Sequence, residues 1–149
     1  MTVFDAKPVD EAAERRKKLI ITAVVAGLIA VAALAWMFRY WREERTVHKF
    51  FQALETKDYR TAYGIWMADA EWQKHPEKFS SYPYGEFELD WGPAGEWGEI
   101  KKHEIVATGT VKGASGVVVK VRINDRAEPA RLWVEKSDRS LTFPPPWVQ

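Results

Sequence analysis

Cysteine is absent from the 149-residue sequence. That excludes disulfide frameworks, thiolate metal sites and thiol nucleophiles, and it leaves the redox compartment open. An excess of one charge is missing too: 22 Lys and Arg stand against 21 Asp and Glu, interspersed, for a formal net charge of +1. Affinity for a phosphate backbone needs concentrated Lys and Arg, so a nucleic-acid binder is not expected. Histidine is sparse. His48, His75 and His103 sit in three unlike contexts with no spacing that would place ligands on one helix face, and they are expected as surface or packing residues. No Gly-x-Ser-x-Gly elbow and no phosphate-cradling glycine loop is found. Neither a metal site nor a cofactor is expected.

Two things are abundant: tryptophan, with eight residues, and one long apolar run. Residues 19–38 carry no charge, and Thr22 is the one polar side chain among them. About 20 residues at roughly 1.5 Å each give about 30 Å of helix, which matches the hydrocarbon thickness of a bilayer. The run has no polar face for a soluble amphipathic helix. Arg15, Arg16, Lys17 and Lys18 bound it on one side. Trp36, Tyr40 and Trp41, with Arg39 and Arg42, bound it on the other, as aromatic rings and snorkelling cations do at headgroup depth. A transmembrane helix over 19–41 is predicted, following a tail over 1–18. A cleaved signal peptide competes, because residues 33–35 have small-x-small spacing, but the run exceeds a typical signal core and an uncleaved anchor is expected.

Orientation rests on few charges. Lys7 and the unbroken 15–18 cluster precede the run, whereas Glu43 and Glu44 dilute the arginines that follow it. The positive-inside rule then predicts a cytoplasmic N-terminus in a plasma or inner membrane, with the larger C-terminal part outside the cytoplasm, periplasmic if the cell is Gram-negative. Within the run, Ala23, Gly27, Ala30 and Leu34 share one face and could admit a neighbouring helix, although alanine is common throughout this segment.

After the run the period becomes that of soluble helices. Val47, Phe50, Phe51 and Leu54 recur at i, i+3, i+4 and i+7, and Asp58 is a candidate N-cap for a second helix carrying Tyr59, Ala62, Tyr63, Trp66 and Met67. Between 68 and 99, Pro76, Pro83 and Pro93 and several glycines interrupt any pattern. "GEFELDW" (85–91) alternates like a strand, yet Phe87 and Trp91 are also i and i+4, so periodicity leaves both readings open. Strands are expected at 99–111, 116–124 and 130–136, followed by "LTF" after the turn "SDRS". In the second of these, Val117, Val119, Val121 and Ile123 share a covered face. Helices followed by hairpin-linked strands make an α+β layout over 42–143, with a Pro-rich extended tail over 144–149.

"VHKFFQALETKDYRTAYGIW" (47–66) resembles the opening helix pair of nuclear transport factor 2-like (cystatin-like) domains. "GVVVKVRIN" and "RLWVEKSDRSLTF" are similar to the closing hairpins of that fold. The resemblance implies a cone of helices on a curved antiparallel sheet. With the anchor and "DWGPAGEWGEIKKHEIV" (90–106), the chain also resembles small single-pass proteins grouped with cytochrome c oxidase assembly protein 1, which would make 85–91 helical. That likeness implies a role in assembling or accompanying a membrane-embedded electron-transfer complex, respiratory or photosynthetic.

Enzymes on this fold work inside the cone. Tyr59, Tyr63, Trp66, Trp97 and Trp133 could line such a pocket or simply fill it, and bulky aromatics favour filling. No acid lies on the apolar faces, and Glu86, Glu88 and Asp90 read as a solvated cluster. The expectation is a non-catalytic accessory or assembly subunit whose partners are the bilayer and other membrane subunits, with Trp147 either docking on a partner or folding back. The alternative is a membrane-tethered pocket domain for a small apolar ligand.

Overall fold

A computed structural model of the protein describes residues 10–148; Lys7 with the first half of the expected 1–18 tail, and Gln149, lie outside the described residues. The chain divides into two compact units, 1–39 and 40–149.

The first unit is one helix, α1 (Glu11–Met37). Asp10 caps it by accepting hydrogen bonds on Oδ1 from the N–H groups of Ala12 at 3.1 Å and Ala13 at 3.3 Å. Its 27 residues rise about 40 Å, and none is buried. Leu19, Leu28, Ile29 and Val31 are each at least 64 % exposed. An apolar helix of this length, with no residue buried, is a candidate membrane span near the N-terminus. The span expected to reach Trp41 stops being helical at Met37, where the Phe38 N–H closes the last turn on the Leu34 carbonyl. Arg39 lays its guanidinium 3.6 Å from the Trp36 ring centroid.

The second unit is an α+β domain. It opens with α2 (Trp41–Glu55) and α3 (Tyr59–Trp66), passes through two 3-10 turns, and adds α4 (Tyr84–Trp91). Four strands follow: β1 (His103–Gly109), β2 (Gly116–Ile123), β3 (Ala130–Glu135) and β4 (Leu141–Thr142). They form one antiparallel sheet in sequential order. Such hairpin connections need no crossover.

The apolar faces read from the sequence are the ones that close the core. Val47, Phe50, Phe51 and Leu54 of α2 are all buried, as are Ala62, Tyr63 and Trp66 of α3. Burial of an aliphatic or Phe side chain of this kind stabilises by about 1.5–3 kcal/mol. From the sheet, Val117, Val119, Val121 and Ile123 meet them with no exposure, together with Leu132 and Val134 of β3. A Schellman-type ending joins α2 to α3: the Asp58 N–H donates to Ala53 and the Lys57 N–H to Leu54, with Lys57 at φ 60°. Asp58 then caps α3 by accepting from the Thr61 N–H at 3.1 Å.

The undecided stretch 85–91 is helical. Phe87 and Trp91 are buried as an i, i+4 pair, while Leu89, the middle residue of the apparent alternation, is 68 % exposed. Gly92 and Gly95 let the chain wrap tightly past the end of α4. A Cβ on Gly95 would stand 2.1 Å from the Asp90 carbonyl oxygen. The first strand is shorter than expected, because residues 99–102 are tied down by Asn124, whose Oδ1 accepts from the N–H groups of Lys101 and Lys102. A bulge at Val106 interrupts the β1–β2 register.

Trp133 is buried, but outside the main core cluster. Grouped with the interior aromatics on sequence, it falls between Leu132 and Val134, so the strand alternation turns it to the opposite face of the sheet. It is only 5 % exposed there, with the Trp147 ring edge-on at 5.9 Å. The C-terminal tail folds back on its own domain.

Candidate functional site

Helix α2 organises the surface chemistry because its three sides meet three environments. One side is the core face already described. A second carries Glu44, His48 and Glu55 toward β1. A third carries Arg42, Arg45 and Lys49 at i, i+3 and i+7.

On the second side, residues distant in sequence form a chain of hydrogen bonds. Oε1 of Glu55 is 2.5 Å from Nδ1 of His103, and Nε2 of His103 is 2.7 Å from Nδ1 of His48. With the carboxylate accepting, His103 donates from Nδ1 and uses its Nε2 lone pair to accept from His48. The His103 side chain is 8 % exposed, and its ring stacks on Phe51 at 5.2 Å. Burial holds the His48 pKa below its ordinary 6.5, and the neighbouring His103 adds to this, against the raising effects of Glu44 and Glu55. His75 makes a different arrangement, its Nε2 2.7 Å from Asp69 Oδ2. This hydrogen bond is the chief reason that Asp69 titrates below the usual carboxylate range. Of the three histidines expected as surface or packing residues, His103 packs on Phe51 and pairs with His48, and His75 is bound to a carboxylate. No local spacing could have announced a pair 55 residues apart. Among the described residues, no three His, Asp or Glu groups are arranged to hold a metal ion.

On the third side lies a cleft of about 920 Å³ between α2, α3 and the turn joining β3 to β4. Arg42, Arg45 and Lys49 line it from α2, Arg60 from α3 and Arg139 from the turn. Trp41 and Trp72 contribute indole rings, with the Arg45 guanidinium 5.1 Å from the Trp41 centroid. Trp72 is fixed by donating from Nε1 to the Arg60 carbonyl at 3.2 Å and by stacking on Tyr84. Gly64 forms part of the wall, where a Cβ would come within 3.1 Å of the Asp69 carbonyl oxygen.

The interior is filled by aromatic rings. Trp66 is 3 % exposed, with Phe50, Phe87, Trp91 and Phe143 at centroid distances of 5.1 to 6.0 Å. Tyr63 is buried and donates its hydroxyl to the Tyr82 carbonyl at 2.8 Å; burial raises its pKa. Tyr59 and Trp97 pack half-buried against this core. Glu86, Glu88 and Asp90 are exposed on α4, where Asp90 accepts from the Tyr82 hydroxyl at 2.7 Å. Burial first, and then this carboxylate, push the Tyr82 phenol far above its ordinary range.

The residues expected at a membrane interface separate. Arg15, Arg16, Lys17, Lys18 and Trp36 lie on α1, all exposed, as do Ala23, Gly27, Ala30 and Leu34. Tyr40 instead packs half-buried against the domain core, and Trp41 lines the basic cleft. Comparison with protein-family models, curated proteins and solved structures returns no match for this chain.

Proposed function

We propose that the chain is a non-catalytic, single-pass membrane protein that acts as an accessory or assembly subunit of a membrane-embedded complex. The observation that carries this reading is the pairing of an uncovered apolar helix with a domain whose interior is occupied by side chains. A span with none of its residues buried is suited to lipid and to neighbouring helices, and the face of Ala23, Gly27, Ala30 and Leu34 would allow close approach. The resemblance to nuclear transport factor 2-like domains and to the cytochrome c oxidase assembly protein 1 group points to an electron-transfer complex. In this reading α1 is oriented with its N-terminus cytoplasmic, and the α+β domain, cone-shaped on a curved sheet, covers an extracytoplasmic surface. Filling of the interior by Trp66 and its ring neighbours supports this role over a pocket for a small apolar ligand.

The test is purification of tagged full-length protein from membranes in mild detergent, with mass spectrometry of what accompanies it. Membrane subunits of one complex in fixed ratio are expected. A protein that elutes alone at every detergent strength, or that is recovered without detergent, overturns the proposal.

A further inference from the structure

The basic cleft has an excess of positive charge that the described residues do not neutralise. Five cationic side chains line it, against the carboxylates of Asp69 and Asp138. Both acids are engaged elsewhere. Asp69 holds His75 at 2.7 Å and Lys78 at 3.7 Å on Oδ2 and accepts from the Glu71 N–H on Oδ1. Asp138 accepts on Oδ1 from the N–H and hydroxyl of Ser140, which keeps its pKa below the usual carboxylate range. None of Arg42, Arg45, Lys49, Arg60 or Arg139 lies within 4.0 Å of a carboxylate among the described residues. Elsewhere on the domain Lys57, Lys102 and Arg122 do have acidic partners, Glu99, Asp125 and Glu104.

Cations converging from three separate elements on one concavity repel one another unless something negative joins them. The chemistry of that occupant follows from the donors. Four of the five are arginines, whose planar forks match tetrahedral oxyanions and are always charged. Two indoles in the lining suit an amphipathic environment where one end is apolar and the other wet. Position adds to this, because Trp41 is four residues past the end of α1, within about 14 Å of extended chain.

We propose that this cleft is an anion site that takes a phosphate group. Its two sources would be the headgroup of an acidic phospholipid at the bilayer surface and a free phosphate compound. The lipid source rests on the membrane reading of α1; the anion site itself does not.

Two arms test it on the full-length chain. In detergent, native mass spectrometry compares retention of phosphatidylglycerol with that of phosphatidylcholine of the same acyl chains. In parallel, thermal unfolding is followed in inorganic phosphate against chloride at matched ionic strength. Each is repeated for the triple variant Arg42→Gln, Arg45→Gln, Lys49→Gln, for the single variant Arg139→Glu on a different element, and for the control Lys112→Gln, Lys136→Gln outside the cleft. Preference for phosphatidylglycerol that falls on the order of a hundredfold in the triple variant, falls in Arg139→Glu and survives in the control assigns the lipid source. Stabilisation by phosphate with the same variant pattern, without lipid preference, assigns the free compound. Absence of both preferences, or preferences that the cleft variants leave unchanged, overturns the proposal. Recovery of the chain without detergent would overturn the membrane reading alone, and the phosphate arm would still decide the anion site.

Discussion

Nδ1 of His48 stands 2.7 Å from Nε2 of His103, and the far nitrogen of His103 is held by Glu55. A nitrogen–nitrogen contact this short has room for one proton between the rings. Two donors cannot face each other across it.

The first prediction concerns pH. The His48 pKa lies below its ordinary 6.5 in the fold, so between the folded value and 6.5 the unfolded chain binds more protons. Stability therefore rises with pH through that window and is fully present above it. Carboxylates with lowered pKa, including Asp58, Asp69 and Glu99, remain ionised there and do not contribute to the slope. Denaturation midpoints of the domain should fall on acidification from about pH 7 to about pH 5.5, and His48→Ala should flatten that slope. Equal slopes in the two proteins would contradict the assignment.

A second prediction comes from the end of α3. Ala68 has φ 54°, a left-handed conformation that a Cβ disfavours, while the Asp69 N–H reaches back to the Gly64 carbonyl at 2.8 Å. Ala68→Gly is expected to stabilise the domain by about 1 kcal/mol, read as a rise of several degrees in Tm. A drop in Tm would mean that the extra freedom of glycine in the unfolded chain outweighs the relief of strain.

Gly116 makes the opposite case. A Cβ there would stand 2.5 Å from both Cε2 and Nε1 of Trp133 and 2.5 Å from the Val134 carbonyl oxygen. Gly116→Ala should cost about 1–3 kcal/mol, because the indole is nearly enclosed and must shift as a whole. Urea unfolding monitored by tryptophan emission would report both the loss and the displacement; an unchanged midpoint would show that the ring has room to move.

Two tryptophans should differ sharply on truncation. Trp66 is 3 % exposed amid five aromatic neighbours, so Trp66→Ala should cost about 3–5 kcal/mol. Trp147 is 64 % exposed and rests on Trp133, so Trp147→Ala should cost about 1 kcal/mol and expose Trp133 to water. Comparable losses from the two would show that the tail holds the domain far more firmly than its one ring contact implies.

What could be read from the sequence follows from how each residue acts. Residues that act through a periodic face were legible: Phe50 and Phe51 on α2, Val119 and Val121 on β2, Asp58 as a cap. Leu89 left 85–91 undecided because an exposed apolar residue between two buried ones imitates a strand. The parity of Trp133 against Leu132 and Val134 was readable but was overridden by its size, which suggested the core. The His48–His103 pair and the cleft depend on tertiary approach. The spacing of Arg42, Arg45 and Lys49 was visible, but nothing local says that Arg60 and Arg139 join them.

Three residues, Phe38 to Tyr40, separate the helix α1 from the helix α2. If α1 lies in a bilayer as proposed, that joint is a tether of about 10 Å at full stretch, so the domain diffuses with the lipid and never leaves its surface. Encounters with other membrane proteins then become a search in two dimensions at high effective concentration, in which weak contacts suffice for lasting association. Lengthening the joint with a flexible insert would dilute the domain without altering a single contact.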